Sequence, residues 1–246
     1  MRYAIISDIH SNFQALTSAL DYIKNNPADK IICCGDIAGY GPSPAECIEE
    51  LKKLSSFESV MGNHDAAVSG KTGYSDFNNS AKEAVELNMS LAGEEGRAYL
   101  SSLKYKISEN DLLFVHGSPR QPISEYLFIQ EKIEKSMAIM KEKICFVGHT
   151  HQPIIYEQEK PGEGHFYHVE KDSEVFELEP ELRYLVNVGS VGQPRDQNPR
   201  ACVAYFDTKT YTLSYKRIEY NVAQTQEKMK SMGFPGQLSA RLSLGV

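Results

Sequence analysis

The sequence predicts an α/β protein in which two packed β-sheets carry helices on their outer faces, all within a single domain spanning residues 1–246. Three observations lead there. Apolar strands and amphipathic helices alternate through the first half. From residue 153 onward the pattern changes to short strands separated by turns. The chain has 246 residues, 41% hydrophobic and 24% charged, enough to bury one sizeable core.

Taken in order, residues 2–6 form a short apolar strand, and Phe13, Leu16, Leu20 and Ile23 fall on one face of a helix from Asn12 to Lys24. A second strand runs from Lys30 to Cys34 and opens into the Gly/Pro-rich loop 39–44. Pro44 suits the first turn of a helix that turns Cys47, Ile48, Leu51 and Leu54 inward. A third strand, Phe57 to Met61, ends at Gly62. Such β-α-β-α-β order implies parallel pairs joined by right-handed crossovers. A helix is expected around Ser80 to Leu91. Strands follow at Leu112–Val115 and Ile144–Val147, with a helix through Ile129, Ile133, Met137 and Met140 between them. The later strands are 154–156, 166–169, 175–178, 184–188, 201–206 and 211–218, with a hairpin turn at 207–210. Residues 157–181 are acidic and read as a solvated hairpin region. The leucine-bearing tail from Asn221 is expected to pack on the body or on a partner.

Lys and Arg number 26 against 33 Asp and Glu, a net charge of −7, which argues against wrapping long nucleic acids or lying on an anionic membrane. Five cysteines form no C-x-x-C pair, as in a reduced protein. The apolar run 4–6 is too short for a signal-peptide core, and nothing approaches a membrane span, so the cytoplasm is expected.

The chemistry lies at the strand ends. Each strand of the parallel-looking region ends in a polar cluster: Asp8-Ile9-His10, Gly35-Asp36, Gly62-Asn63-His64-Asp65, His116-Gly117 and Gly148-His149-Thr150-His151. Ligands of open α/β sheets bind outside the carboxyl ends of strands, so these clusters should converge. Carboxylate, imidazole and amide oxygen without paired thiolates suit Mn, Fe, Zn or Ni. Asp8 and His10, like His149 and His151, are two apart and in extended backbone would emerge on the same side as chelating pairs. The set is too large for one ion. Two metals about 3.5–4 Å apart, bridged by one carboxylate and a hydroxide that attacks phosphorus in line, divide it sensibly. Asp36 is the candidate bridge, because it stands mid-series beside Gly35.

These ordered motifs resemble the signature of the calcineurin-like metallophosphoesterases, and 187–195, Asn-Val-Gly-Ser-Val-Gly-Gln-Pro-Arg, resembles a further segment of the small prokaryotic phosphodiesterase-type branch. The resemblance implies an α/β/β/α sandwich of two mixed sheets. It also implies one divalent transition-metal ion, manganese foremost, held by Asp8, His10, Asp36 and His151, and a second held by Asp36, Asn63, His116 and His149. His64 would stabilise the phosphoryl oxygens and help protonate the leaving oxygen. Two divalent ions against two carboxylates leave the bare site at about +2, or about +1 with a bridging hydroxide, which suits a phosphate.

The phosphoprotein phosphatase branch carries an Asp-Arg pair where this chain has Gly39 and Tyr40, which favours a phosphodiester or nucleotide-like substrate over a phosphoprotein. Tyr40 either lines the pocket and stacks a base or is a plain loop residue. Arg195 either contacts substrate or pairs with Asp196 or another acid. Asp65 either orients His64 or is an exposed loop carboxylate. Ser118 and Ser190 are weaker substrate candidates, Asn12 reads as a helix cap, and His165 and His168 as surface residues. Two competing functions remain: a phosphomonoesterase, including a protein phosphatase, and a metal-binding interaction scaffold of the kind that retromer-subunit relatives imply. The scaffold predicts eroded ligands or a lost His64, whereas every motif position is occupied. Oligomeric state leaves no mark in the sequence.

Overall fold

Two mixed six-stranded sheets flanked by seven helices make up the protein, in a computed structural model that describes residues 1–246. The first sheet has the order β3 (Phe57–Ser59), β2 (Lys30–Cys33), β1 (Arg2–Ile6), β11 (Ala201–Asp207), β12 (Thr212–Ile218), β9 (Ser173–Glu177). The second has the order β4 (Ile107–Glu109), β5 (Leu112–Phe114), β6 (Ile144–Val147), β10 (Arg183–Asn187), β7 (Ile154–Lys160), β8 (Glu163–His168). Strands β1, β2 and β3 are parallel, as are β5, β6 and β10; the remaining pairs are antiparallel.

Strand alternation builds the layers. Tyr3 and Ile5 of β1 point into a core between the sheets with Phe114, Phe146, Val186, Phe206 and Tyr215. Ala4 and Ile6 face the other way, toward helices α1 (Phe13–Asn25) and α2 (Pro44–Lys52). On the outer face of the second sheet, Leu113, Cys145, Val147 and Leu185 pack on Ile133 and Met137 of α5 (Gln130–Met137). Each fully buried Ile, Leu or Phe contributes about 1.5–3 kcal/mol, so the three layers of core hold the strand ends in fixed register.

Several sequence expectations need correction. The buried stripe of α1 is Ala15, Leu16, Ala19 and Ile23, with Phe13 and Leu20 at its margin, because small alanines let the helix lie close on the sheet. Asn12 caps it, accepting from the Ala15 amide at 3.2 Å. The helix expected around Ser80 extends over Asn79–Ser102 (α4) and is broken at Gly93, whose φ of 63° lies in the left-handed region. Strand β4, which the sequence pattern does not announce, is three residues long and exposes Ser108. The acidic stretch 157–181 is more than a hairpin. β7 and β8 form one, but β9 crosses to the first sheet and pairs with β12. The tail packs on the body: Met229 of α6 (Val222–Ser231), Phe234, Leu238 of α7 (Gly236–Ala240) and Leu242 cluster with Tyr40, Ala81 and Ala84. No helix is long and apolar enough to cross a membrane.

Candidate metal centre

The parallel strands of both sheets deliver their carboxyl ends to one place. Asp8 follows β1, Asp36 follows β2, and Asn63 and His64 open α3 (Asn63–Val68) beyond β3. From the second sheet, His116 follows β5, and His149 and His151 follow β6. All seven residues proposed as ligands, together with His64, gather there. The loops turn sharply: Asp8, His10, Asp36, His149 and His151 all have φ between 47° and 66°. That backbone is left-handed, so the ligand pairs do not leave extended strand ends. Asp8 and His10 stay together, but His149 and His151 diverge, His151 to Asp8 and His149 to His116.

Backbone groups fix each ring and carboxylate. Carbonyl oxygens only accept, so His10 Nδ1 donates to Ala38 (3.1 Å), His151 Nδ1 to Gln193 (2.6 Å) and His116 Nδ1 to Cys34 (2.8 Å), while His149 Nε2 donates to Ser124 (3.2 Å). The other ring nitrogens face one another in pairs. His10 Nε2 and His151 Nε2 are 3.1 Å apart, and His116 Nε2 and His149 Nδ1 are 2.9 Å apart. Carboxylate oxygens join them: Asp8 Oδ1 lies 3.2 Å from His151 Nε2, and Asp36 Oδ2 lies 3.3 Å from His116 Nε2 and 3.6 Å from His10 Nε2. Asn63 Oδ1 is 3.1 Å from His116 Nε2. The second oxygen of each carboxylate is tied to backbone, Asp8 Oδ2 by the His149 amide (3.0 Å) and Asp36 Oδ1 by the His64 amide (2.9 Å). Gly62 makes the latter possible, since a Cβ there would collide with Asp36. Asp8 Oδ1 is buried without a hydrogen-bond partner.

Acceptors packed against acceptors need positive charge between them, and three overlapping groups, Asp8 with His10 and His151, His10 with Asp36 and His64, and Asp36 with His116 and His149, have the donors and spacing to hold a metal ion. Protonation follows the same logic. Burial alone would raise both carboxyls, yet His151 beside Asp8 and His116 beside Asp36 hold them below the usual carboxylate range. Burial pushes His10 and His151 down and takes His149 to about 3. Burial also opposes a proton on His116, but Asp36 outweighs it and lifts this imidazole to about 9. In the chain without metal, a proton on His116 takes up part of the cation's role.

The secondary candidates fall differently. Asp65 is neither an orienter of His64 nor exposed; it is buried and accepts from the Ala38 and Gly62 amides at 2.9 and 3.0 Å, capping α3. Its burial, with Asp36 adding to it, raises the carboxyl to about 7. Arg195 does not pair with Asp196, which Arg217 takes; its guanidinium lies 5.7 Å over the Tyr40 ring and donates to Gln193 Oε1. Tyr40 is 9% exposed and packs on His10 and His64, ring centroids 4.6 and 4.4 Å away. Ser190 and Ser118 are spent on structure: Ser190 bonds the Asp8 carbonyl and Ser118 bonds Glu125. His165 and His168 are exposed on β8. Sequence reasoning missed Asn88, whose buried amide accepts from Ser11 Oγ and the Gly39 amide and donates to the Gly41 and Ala84 carbonyls. It holds the loops after β1 and β2 together. Its signal is an amide side chain on a buried stripe otherwise made of the small or apolar Ser80, Ala81, Ala84, Val85 and Ala92.

A cavity of about 540 Å³ opens over the Asn63 and His149 side and is lined by Tyr40, His64, Phe77, Asn78 and Tyr126 among others. Phe77 and Tyr126 were also not foreseen, since neither stands in a motif.

Comparison with known proteins agrees with this geometry. The model of the calcineurin-like phosphoesterase superfamily domain matches residues 1–211. An uncharacterized protein of Methanocaldococcus jannaschii is 37% identical over 98% of this chain and 97% of its own length. The crystal structure of a metallophosphoesterase from Sphaerobacter thermophilus superposes with a TM-score of 0.87 at 39% identity, covering 100% of this chain and 99% of that one. A hypothetical protein from Pyrococcus horikoshii shares the fold, with a TM-score of 0.80 at 21% identity and coverage of 100% and 98%.

Proposed function

We propose that this chain, which belongs to the calcineurin-like phosphoesterase superfamily, hydrolyses a phosphodiester at a centre of two divalent metal ions. The observation that carries the reading is the convergence of four ring nitrogens and two carboxylates on one place, with contacts of 2.9–3.3 Å between them. Asp8, His10 and His151 would hold one ion, Asn63, His116 and His149 the other, and Asp36 both. Bound there, such ions supply Lewis-acid polarisation of phosphoryl oxygens and a nucleophilic water of lowered pKa. Manganese suits this set of carboxylate, imidazole and amide donors, and burial raises the cysteine thiols and keeps them out of the competition. Five unpaired cysteines support a reducing compartment, the cytoplasm in this reading.

His64 is the proposed catalytic side chain, with Asp36 as its anchor through the His64 amide. Burial, reinforced by Arg195, holds the imidazole near 4 in the free chain, with Asp36 only partly opposing. A neutral ring donates an N–H to a phosphoryl or leaving oxygen, and an incoming phosphate anion would raise its affinity for a proton. Hydrolysis adds water across one P–O bond: oxygen joins phosphorus, the ester oxygen departs with a proton, and a phosphomonoester and an alcohol result.

Two features favour a diester. The cavity has no Lys or Arg in its lining, so a dianionic monoester would find no cation there beyond the metals. A Cβ at Gly39 would stand 2.6 Å from His64 Nδ1, leaving no room for the Asp of the phosphoprotein phosphatase branch. Arg195, free of any carboxylate, is the one observation on the side of a monoester. Turnover of bis(p-nitrophenyl) phosphate and p-nitrophenyl phosphate with manganese separates the two. The diester should be preferred at least tenfold, by ~1.4 kcal/mol in the barrier; preference for the monoester would overturn the assignment.

A further inference from the structure

We propose that the cavity over the second pole is a nucleobase subsite, and that the phosphodiester cleaved carries a nucleoside. The proposal rests on the phosphodiesterase reading above and adds its substrate class. The segment after β5 alternates: Ser124, Tyr126 and Phe128 face out, while Glu125 and Leu127 are buried. Glu125 is anchored by Ser118 and Arg120, and Leu127 belongs to the core under α5. The two outward rings are therefore held in place from beneath. Tyr126 stacks on His149 with centroids 3.7 Å apart and planes at 23°, and Phe128 lies parallel to Tyr126 at 5.5 Å and 5°. Tyr126 is 41% exposed and lines the cavity, whereas Phe128, 59% exposed, stacks beside it outside the lining.

The rest of the cavity suits a nucleoside. Phe77, its ring 4.7 Å from that of His64, adds a further aromatic wall. Thr72, Asn78 and Ser124 offer donors and acceptors for ring nitrogens and sugar hydroxyls, and about 540 Å³ falls in the roughly 300–1,000 Å³ range of ligand pockets. The only charged side chain in the lining, apart from the histidines, is Asp76. Phosphates beyond the scissile one would face that carboxylate without a cation, so a singly charged nucleoside diester fits better than a nucleoside polyphosphate.

Two diesters that share a leaving group test this on the metal-loaded full chain: thymidine 5′-(p-nitrophenyl phosphate) and methyl p-nitrophenyl phosphate. The nucleoside diester should have a KM about tenfold or more below that of the methyl diester, as expected for base stacking on one ring. Tyr126→Leu and, away from His149, Phe128→Ala should bring the two KM values together. Any effect through the metals acts on both substrates and cancels in the ratio. Equal KM values in the wild type, or a ratio untouched by both substitutions, would overturn the subsite while leaving the phosphodiesterase reading intact. Absence of turnover with either diester would overturn that reading instead. Saturation-transfer NMR with adenosine then decides the subsite independently: transfer to the base protons, lost in Tyr126→Leu, supports it, and no transfer in the wild type rejects it.

Discussion

The pole built by Asp8, His10 and His151 and the pole built by Asn63, His116 and His149 share Asp36 and differ in what lies over them. Beside His10 the protein leaves only a gap of about 10 Å³, walled by Asn12, Tyr40, Gly192 and Leu242. That is barely room for one water. Over Asn63 and His149 lies the cavity of about 540 Å³. Protonation differs too, since His10 and His151 are held neutral by burial while His116 keeps a proton through Asp36. On the proposed two-metal reading, the contrast implies a division of labour: a sealed pole that would retain its ion and an open pole where substrate would meet the second. Part of the seal comes from the tail, whose Met229 and Leu242 line the small gap.

Three experiments try that division, in order of expected effect. Asp36→Ala removes what the poles share, so both ions and activity should be lost together, with turnover down by about 10³-fold or more. Elemental analysis beside kcat checks this, and a variant that keeps one ion at full occupancy would separate the poles. His64 lies within ligand reach of His10 and Asp36 but outside both proposed ligand sets, so in His64→Ala metal content should stay at the wild-type value while kcat falls by roughly 10²–10⁴-fold. Unchanged turnover would remove His64 from the chemistry. The smallest effect is in pH. Below about 9 a proton on His116 competes with the open-pole ion, so apparent affinity there should weaken as pH falls, approaching tenfold per unit. The sealed pole, whose imidazoles are already neutral, should show little dependence between pH 7 and 9. Calorimetric titration in buffers of different ionisation heat measures the proton released, and identical slopes for both ions would contradict the assignment.

Much of this arrangement was legible in the residues, and the rest failed for identifiable reasons. Short apolar runs ending in Asp, Asn or His marked the strand ends, and β6 falls over the predicted residues Ile144–Val147. Long-range pairing was not legible. The two halves of the chain do not each make a sheet, because β9, β11 and β12 return to extend the sheet begun by β1, and that choice depends on faces meeting across the core. The separation of His149 from His151 depends on left-handed backbone, with φ of 66° and 59°, which spacing of two cannot announce. Asp196 sits next to Arg195 in sequence but is taken by Arg217 from β12, a partner only the fold supplies. Asp65, expected either to orient His64 or to be an exposed loop acid, is a buried cap because the turn after β3 folds it back on the Gly62 and Ala38 amides.

The most direct measurement of the two-pole account is metal content per chain before and after brief exposure to a chelator. Protein saturated with manganese should carry two ions, lose one quickly together with activity, and keep the other in the sealed pole beside His10. A single ion at saturation, or two ions lost at the same rate, would contradict it.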